Sequence, residues 1–138
     1  MDRFIRAHES MYKIALKEIR AGKKQSHWMW FIFPQLKSLG ISDMAIHYGI
    51  SDIEEAKEFL KNDYLRNNLI EISTALLELE SDNAVAIFGR TDTMKLCSSM
   101  TLFFEADPEN EVFKKVLDKF FCGIKDNKTI KLLREKTC

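Results

Sequence analysis

Apolar residues recur along most of this chain at the three-and-four spacing of amphipathic helices, and the runs are bracketed by residues that start and stop helices. Between about Arg3 and Ala21, a stripe of Phe4, Ile5, His8, Met11, Tyr12, Ala15, Leu16 and Ile19 runs down one face. Lys17, Glu18 and Arg20 lie off it, and Gly22 supplies a left-handed stop. Ser42 and Ser51 begin two short helices. Ser51-Asp52-Ile53-Glu54 reads as a capping box, followed by the apolar face of Ala56, Phe59 and Leu60. Leu65, Leu69, Ile72, Leu76 and Leu79 mark a long helix from about Tyr64 to Glu80. Asn83 caps a short turn ending at Gly89, and Thr91 or Asp92 opens a helix reaching about Phe104 or Glu105. Asp107 then reads as an N-cap, with Pro108 at the first helical position of a helix that carries Val112, Phe113, Val116, Leu117, Phe120 and Phe121 and stops at Gly123. Asp126 starts a last helix to about Lys136.

One block breaks the pattern. From Trp28 to Phe33 every residue is apolar, so neither the helical nor the strand period is legible. Ser26 as a cap and Pro34 as a stop favour a short helix. A buried strand is the rival, but the rest of the chain offers no partner strands. The expected fold is all-α: a compact multihelical single domain over 1–138 with about seven or eight helices. Its main core is expected to include Leu69, Ile72, Leu76, Val116, Leu117 and Phe120.

Composition narrows the classes. Hydrophobic residues make up 46% and charged ones 30%, which suits a globular chain. With 21 Lys plus Arg against 21 Asp plus Glu, the basic excess of a nucleic-acid binder is missing. Five Gly and two Pro are few for a strand-and-turn fold. Cys97, Cys122 and Cys138 are odd in number and widely spaced, against both a zinc site and a disulfide framework. That usage, a charged N-terminus and apolar runs too short for a bilayer point to a cytoplasmic protein with no membrane association.

Two motifs stand out chemically. In Ser26–Gln35, two Trp and two Phe fall within six residues, flanked by His27 and Gln35. Such a block is either a core plug or an aromatic wall of a pocket or interface. His27 is a weak candidate general base. His8 lies on an apolar stripe and reads as a core histidine, and the three histidines lack metal-ligand spacing. The second motif runs from Asp92 to Thr101. On a helix Asp92, Lys95 and Ser99 share one face, with Ser98 and Thr101 beside it. Ser and Thr in a helix interior either bond back to carbonyls or line a polar cleft. Arg90, behind Gly89 at the helix start, suits an anion. No nucleophile elbow, phosphate loop or cofactor motif occurs.

Several of these residues also carry a resemblance. Phe4 with Ala7, Tyr12 with Ala15-Leu16, Gly22-Lys23 and the run Ser26 to Leu36 closely resemble the start of the bacterial domain of unknown function 1810. So do Ile87-Phe88-Gly89, Lys95-Leu96, Ser98 to Phe103, and Phe113 with Leu117 and Phe120. The resemblance spans nearly the whole chain and departs at His8 and Ser38, where the family usually shows Gln and Gly. It implies a compact all-α domain and supplies no catalytic residue. Some members carry the label calpastatin, but calpastatins resemble disordered inhibitors, whereas this chain is rich in core-forming aromatics. More loosely, the order of helical motifs is similar to small helical N-glycosidases acting on ADP-ribose-like substrates.

Three functions follow as expectations. The first is binding of a small nucleotide- or sugar-phosphate-like ligand by His27, Trp28, Trp30, Gln35, Arg90, Lys95, Ser98 and Ser99, the two motifs facing each other across a cleft. The second is an N-glycosidase-like hydrolase in which Asp92 or Asp126 stabilises a cationic transition state and His27 positions water. The third is an interaction module anchored by the Trp and Phe cluster.

Overall fold

The first turn of a helix leaves backbone amides unpaired, and at most of the helices in this chain a short polar side chain takes one of them. The computed structural model describes residues 1–135. It is all-helical: α1 (Asp2–Arg20), α2 (Met29–Ile32), a 3₁₀ turn (Lys37–Leu39), α3 (Asp43–Tyr48), α4 (Ile53–Lys61), α5 (Asp63–Glu78), α6 (Ala84–Phe88), α7 (Arg90–Ala106), α8 (Glu111–Phe121) and α9 (Asn127–Glu135). Lys136 and Cys138 lie outside the described residues. Ser42 accepts from the Ala45 amide at 3.1 Å, and Asn83 from Ala86 at 3.2 Å, where the sequence placed caps.

Three expected starts move. The capping box is displaced by one residue: Asp52 accepts from the Glu55 amide at 2.9 Å, and the Glu55 carboxylate accepts from the Ser51 amide at 2.9 Å. Asp107 does not begin α8. Its N–H closes α7 on the Phe103 carbonyl at 2.9 Å, and Asn110 caps α8 instead. Ser26 does not cap α2, whose N-cap position is Trp28; its hydroxyl donates to Glu18 instead.

The core gathers where α7 packs on α8 and α4 and where α5 packs on α1 and α8. An aromatic chain crosses it: Phe4 meets Phe59 at 5.2 Å between ring centroids, Phe59 meets Phe103 at 5.2 Å, and Phe103 meets Phe113 at 5.9 Å. Leu69, Ile72, Leu76, Val116 and Leu117 are buried as expected. Phe120 is not. It lies in the last turn of α8, half-buried, with the Lys119 ammonium over its ring. Fully buried Phe113 is the aromatic anchor of that helix. The same ammonium donates to the carbonyls of Leu76, Leu77 and Leu79 and so closes the C-terminus of α5.

Among the described residues the only strand-like pairing is a single parallel bridge of Leu36 with Ile50. Its bonds run from Lys37 N–H to the Ile50 carbonyl (2.8 Å) and from Ile50 N–H to the Gln35 carbonyl (2.9 Å). Gly49 permits that approach, since a Cβ there would lie 2.4 Å from Lys37 Cα. The bridge fixes where Gln35 sits. Among the described residues no helix is long and apolar enough to cross a membrane.

Candidate functional site

The aromatic segment around α2 has one face clamped by α1. Glu18 reaches from the end of α1 to the incoming loop and accepts from the Gln25 amide (2.7 Å), the Ser26 amide (2.9 Å), the Ser26 hydroxyl (2.5 Å) and the Trp28 indole N–H (2.9 Å). Burial works to raise this carboxyl, but the Ser26 hydroxyl, the two amides and the indole prevail and hold it down at about 2. Nearly three turns earlier, fully buried His8 sets Nε2 at 2.8 Å from the Phe31 carbonyl, while its Nδ1 lies 3.1 Å from the Asn68 side-chain nitrogen. Both contacts are satisfied with Nε2 protonated and Nδ1 accepting, so the ring is the neutral Nε2–H tautomer. Burial lowers it to about 4, against the opposing pull of the Phe31 carbonyl.

The other face meets the N-terminal half of α7. Trp28 is fully buried, with the Lys24 ammonium 5.2 Å from its ring centroid. Trp30 is half-buried, with the Lys95 ammonium at 4.9 Å. Asp92 stands between the two lysines, 2.9 Å from Lys24 Nζ and 3.6 Å from Lys95 Nζ. Where the segment, the bridge at Gln35 and α7 come together, two spaces adjoin. One is a narrow seam among Met29, Trp30, Phe33, Gln35, Tyr48 and Lys95, with room for about 10 Å³, roughly a single water. The other is an open cleft of about 230 Å³ lined by Gln35, Leu39, Thr91, Met94, Lys95, Ser98, Asp126 and Lys128. Gln35 and Lys95 border both.

The two motifs therefore contribute Gln35, Lys95 and Ser98 to one cleft, and Trp30 stands behind Lys95. The other expected residues are placed differently. Ser99 is fully buried. The stripe of α7 that faces the cleft is Thr91, Met94, Lys95 and Ser98, and one residue further on a helix turns about 100°, which carries Ser99 onto the buried stripe of Leu96, Met100 and Phe103. Trp28 is a core residue. His27 and Arg90 are exposed and do not line the cleft. Phe31 and Phe33 are buried, so the cluster presents no exposed aromatic anchor apart from the edge of Trp30. Leu39, Thr91, Met94 and Lys128 were not singled out from sequence.

Asp126 lines the cleft but is committed to structure. Its Oδ2 accepts from the Thr129 amide (3.0 Å) and hydroxyl (2.5 Å), and Ser98 Oγ lies 3.2 Å away. Its own N–H donates to Thr101 Oγ1 at 2.9 Å. Ser98 Oγ is also 3.1 Å from the Met94 carbonyl, so its hydroxyl is shared between that carbonyl and Asp126. The neighbouring Cys97 thiol is pushed up to about 11, by burial first and by the Asp126 charge second, with Thr101 opposing. It stays protonated at neutral pH and is a poor nucleophile. The groups lining the cleft are two ammoniums, two hydroxyls, an amide, the Asp126 carboxylate and an apolar rim.

The sequence matches a family model described as protein of unknown function (DUF1810) over residues 1–133. The fold is similar to the crystal structure of a conserved hypothetical protein from Mycobacterium tuberculosis, with 43% identity, 96% of this chain and 95% of that chain covered, and a TM-score of 0.94. No curated protein matches the chain.

Proposed function

This chain belongs to the DUF1810 family of proteins of unknown function, and we propose that it binds a small phosphorylated ligand of the nucleotide or sugar-phosphate type in the cleft between the Gln35 loop, α7 and the start of α9. The observation that carries the reading is the convergence of Gln35, Lys95, Ser98 and Lys128, distant in sequence, around one open space. Lys95 and Lys128 supply charge for a phosphate, while Thr91, Ser98 and Gln35 supply hydrogen bonds for hydroxyls or amides. Leu39 and Met94 give the ligand an apolar edge, as small-molecule sites commonly do.

A hydrolytic role on the same compounds has weaker support. It calls for Asp92 or Asp126 to stabilise a cationic transition state and for His27 to position water. Asp92 is paired with Lys24 and Lys95, Asp126 caps α9, and His27 lies outside the cleft lining.

The test is a thermal-shift screen with ribose 5-phosphate, adenosine monophosphate and ADP-ribose against ribose and adenosine. A ligand at 100 times its dissociation constant stabilises by about 2.7 kcal/mol. The expected result is a shift with at least one phosphorylated compound, lost in a Lys95→Met/Lys128→Met double variant. No shift with any of them, or an undiminished shift in the double variant, overturns the reading.

A further inference from the structure

We propose that Lys95 is the anion-recognising residue of the cleft and that it changes seats on binding: its ammonium leaves the Trp30 ring for the phosphate of a monosaccharide phosphate, and the sugar's C–H face takes its place on the indole. The inference rests on the ligand reading above and adds to it the ligand's size, its pose and the moving part.

Lys95 is the weaker member of a shared pair. Asp92 already holds Lys24 at 2.9 Å, a full charge-assisted contact, whereas Lys95 stands 3.6 Å away, beyond the length of a strong one. Its remaining support is the Trp30 face. An ammonium held in this way surrenders little when a doubly charged phosphate arrives in the adjoining cleft, and Asp92 keeps its Lys24 partner when Lys95 moves.

The same movement unites the two spaces. Lys95 borders both the narrow seam beside Trp30 and the wider cleft. Once it swings toward the cleft, the indole face becomes part of the wall. An indole presents a flat apolar surface with a negative face, which suits the C–H face of a sugar. Size selects among phosphorylated compounds. At about 230 Å³ the cleft is below the roughly 300–1,000 Å³ of sites for drug-sized ligands. A single phosphorylated sugar fits such a space, and a nucleoside diphosphate sugar such as ADP-ribose extends beyond it.

The experiment pairs calorimetry with intrinsic fluorescence, using ribose 5-phosphate, ribose, inorganic phosphate and ADP-ribose. Trp28 sits fully buried, so a saturable emission change on binding is assigned to Trp30 and checked by its loss in Trp30→Phe. Ribose 5-phosphate is expected to bind, to change the emission, and to bind about tenfold more weakly in Lys95→Met, a variant that keeps an apolar stem against Trp30. Inorganic phosphate is expected to bind more weakly than ribose 5-phosphate, and ribose not to bind. If no phosphorylated compound binds the wild type, the ligand reading falls and this inference with it. If ribose 5-phosphate binds with unchanged affinity in Lys95→Met, or binds without moving the Trp30 emission, this inference alone is overturned. Equal affinity for inorganic phosphate removes the sugar seat, and preferential binding of ADP-ribose removes the size argument.

Discussion

The aromatic segment from Trp28 to Pro34 has two sides that answer to different rules. Toward α1 it is sealed: Glu18 anchors its entrance through four hydrogen bonds and His8 holds the Phe31 carbonyl. Toward α7 it is loosely held: Trp30 is half-buried beneath a lysine that shares its carboxylate, next to an open cleft. Two tryptophans, each under an ammonium and separated by one residue, thus end in opposite situations. What separates them is the polar partner of the ring. The Trp28 indole N–H is given to a carboxylate fixed by three other donors, which makes full burial affordable in free energy. Stability is concentrated on the sealed side, and whatever moves does so on the other.

The largest expected effect tests the sealed side directly. Trp28→Ala removes a fully buried ring and one of the four donors to Glu18, so it should cost about 3–5 kcal/mol in urea unfolding. A cost below about 1 kcal/mol, the range of ordinary surface changes, would erase the distinction between the two tryptophans.

His8 provides the next test, through pH. Its folded value of about 4 lies below the ordinary 6.5. Between those values the unfolded chain carries a proton that the folded chain does not, so stability is complete above 6.5 and declines as pH falls toward 4. With 1.36 kcal/mol per unit, the full loss is about 3 kcal/mol. His8→Gln keeps polar capacity for Phe31 and Asn68 without titrating, and should flatten the curve in that window. An unchanged slope would mean that another group controls it.

Glu18 acts lower on the pH scale, and its substitution is also read at neutral pH. Its folded value of about 2 lies below the ordinary 4.5, so its contribution is present above 4.5 and is lost as pH falls from there toward 2. Glu18→Gln retains one acceptor oxygen for several donors, and should lower stability by about 1–3 kcal/mol at pH 7. It should also remove the dependence between 4.5 and 2, leaving the His8 window intact. Equilibrium unfolding of both variants across pH separates the two clamps.

How much of this was legible depended on the range of each interaction. Local signals read well: the stripe Leu69, Ile72, Leu76 and the caps Ser42, Asn83 and Asp126 involve partners within four residues. Asp107-Pro108 misled because an aspartate before proline resembles a start, while here its amide finishes the preceding helix. Glu18 looked like a solvated residue off the apolar stripe, since its partners lie seven to ten residues downstream across a turn. In the cleft, Gln35, Lys95 and Ser98 were legible as polar residues crowded against aromatics. Ser99 was misjudged by one step of helix rotation. Lys128 did carry a signal: a cation at the second residue of α9 opposes the helix dipole, a position usually given to acids.

The smallest expected effect decides whether the loose side is as loose as it looks. Trp30→Ala removes a ring that packs on the core from one side only. It leaves Glu18, His8 and the bridge at Gln35 untouched, and Lys95 keeps Asp92. The expected cost is about 1 kcal/mol, within the ordinary range for single changes and well under that of Trp28→Ala. Lys95 loses its seat, so its ammonium has less to surrender to an anion. Inorganic phosphate should therefore bind at least as well as in the wild type, while ribose 5-phosphate should lose its advantage over it. Urea unfolding and calorimetry on one preparation give both numbers. If Trp30→Ala destabilises as much as Trp28→Ala, the ring is a second core plug and the contrast between the two sides disappears.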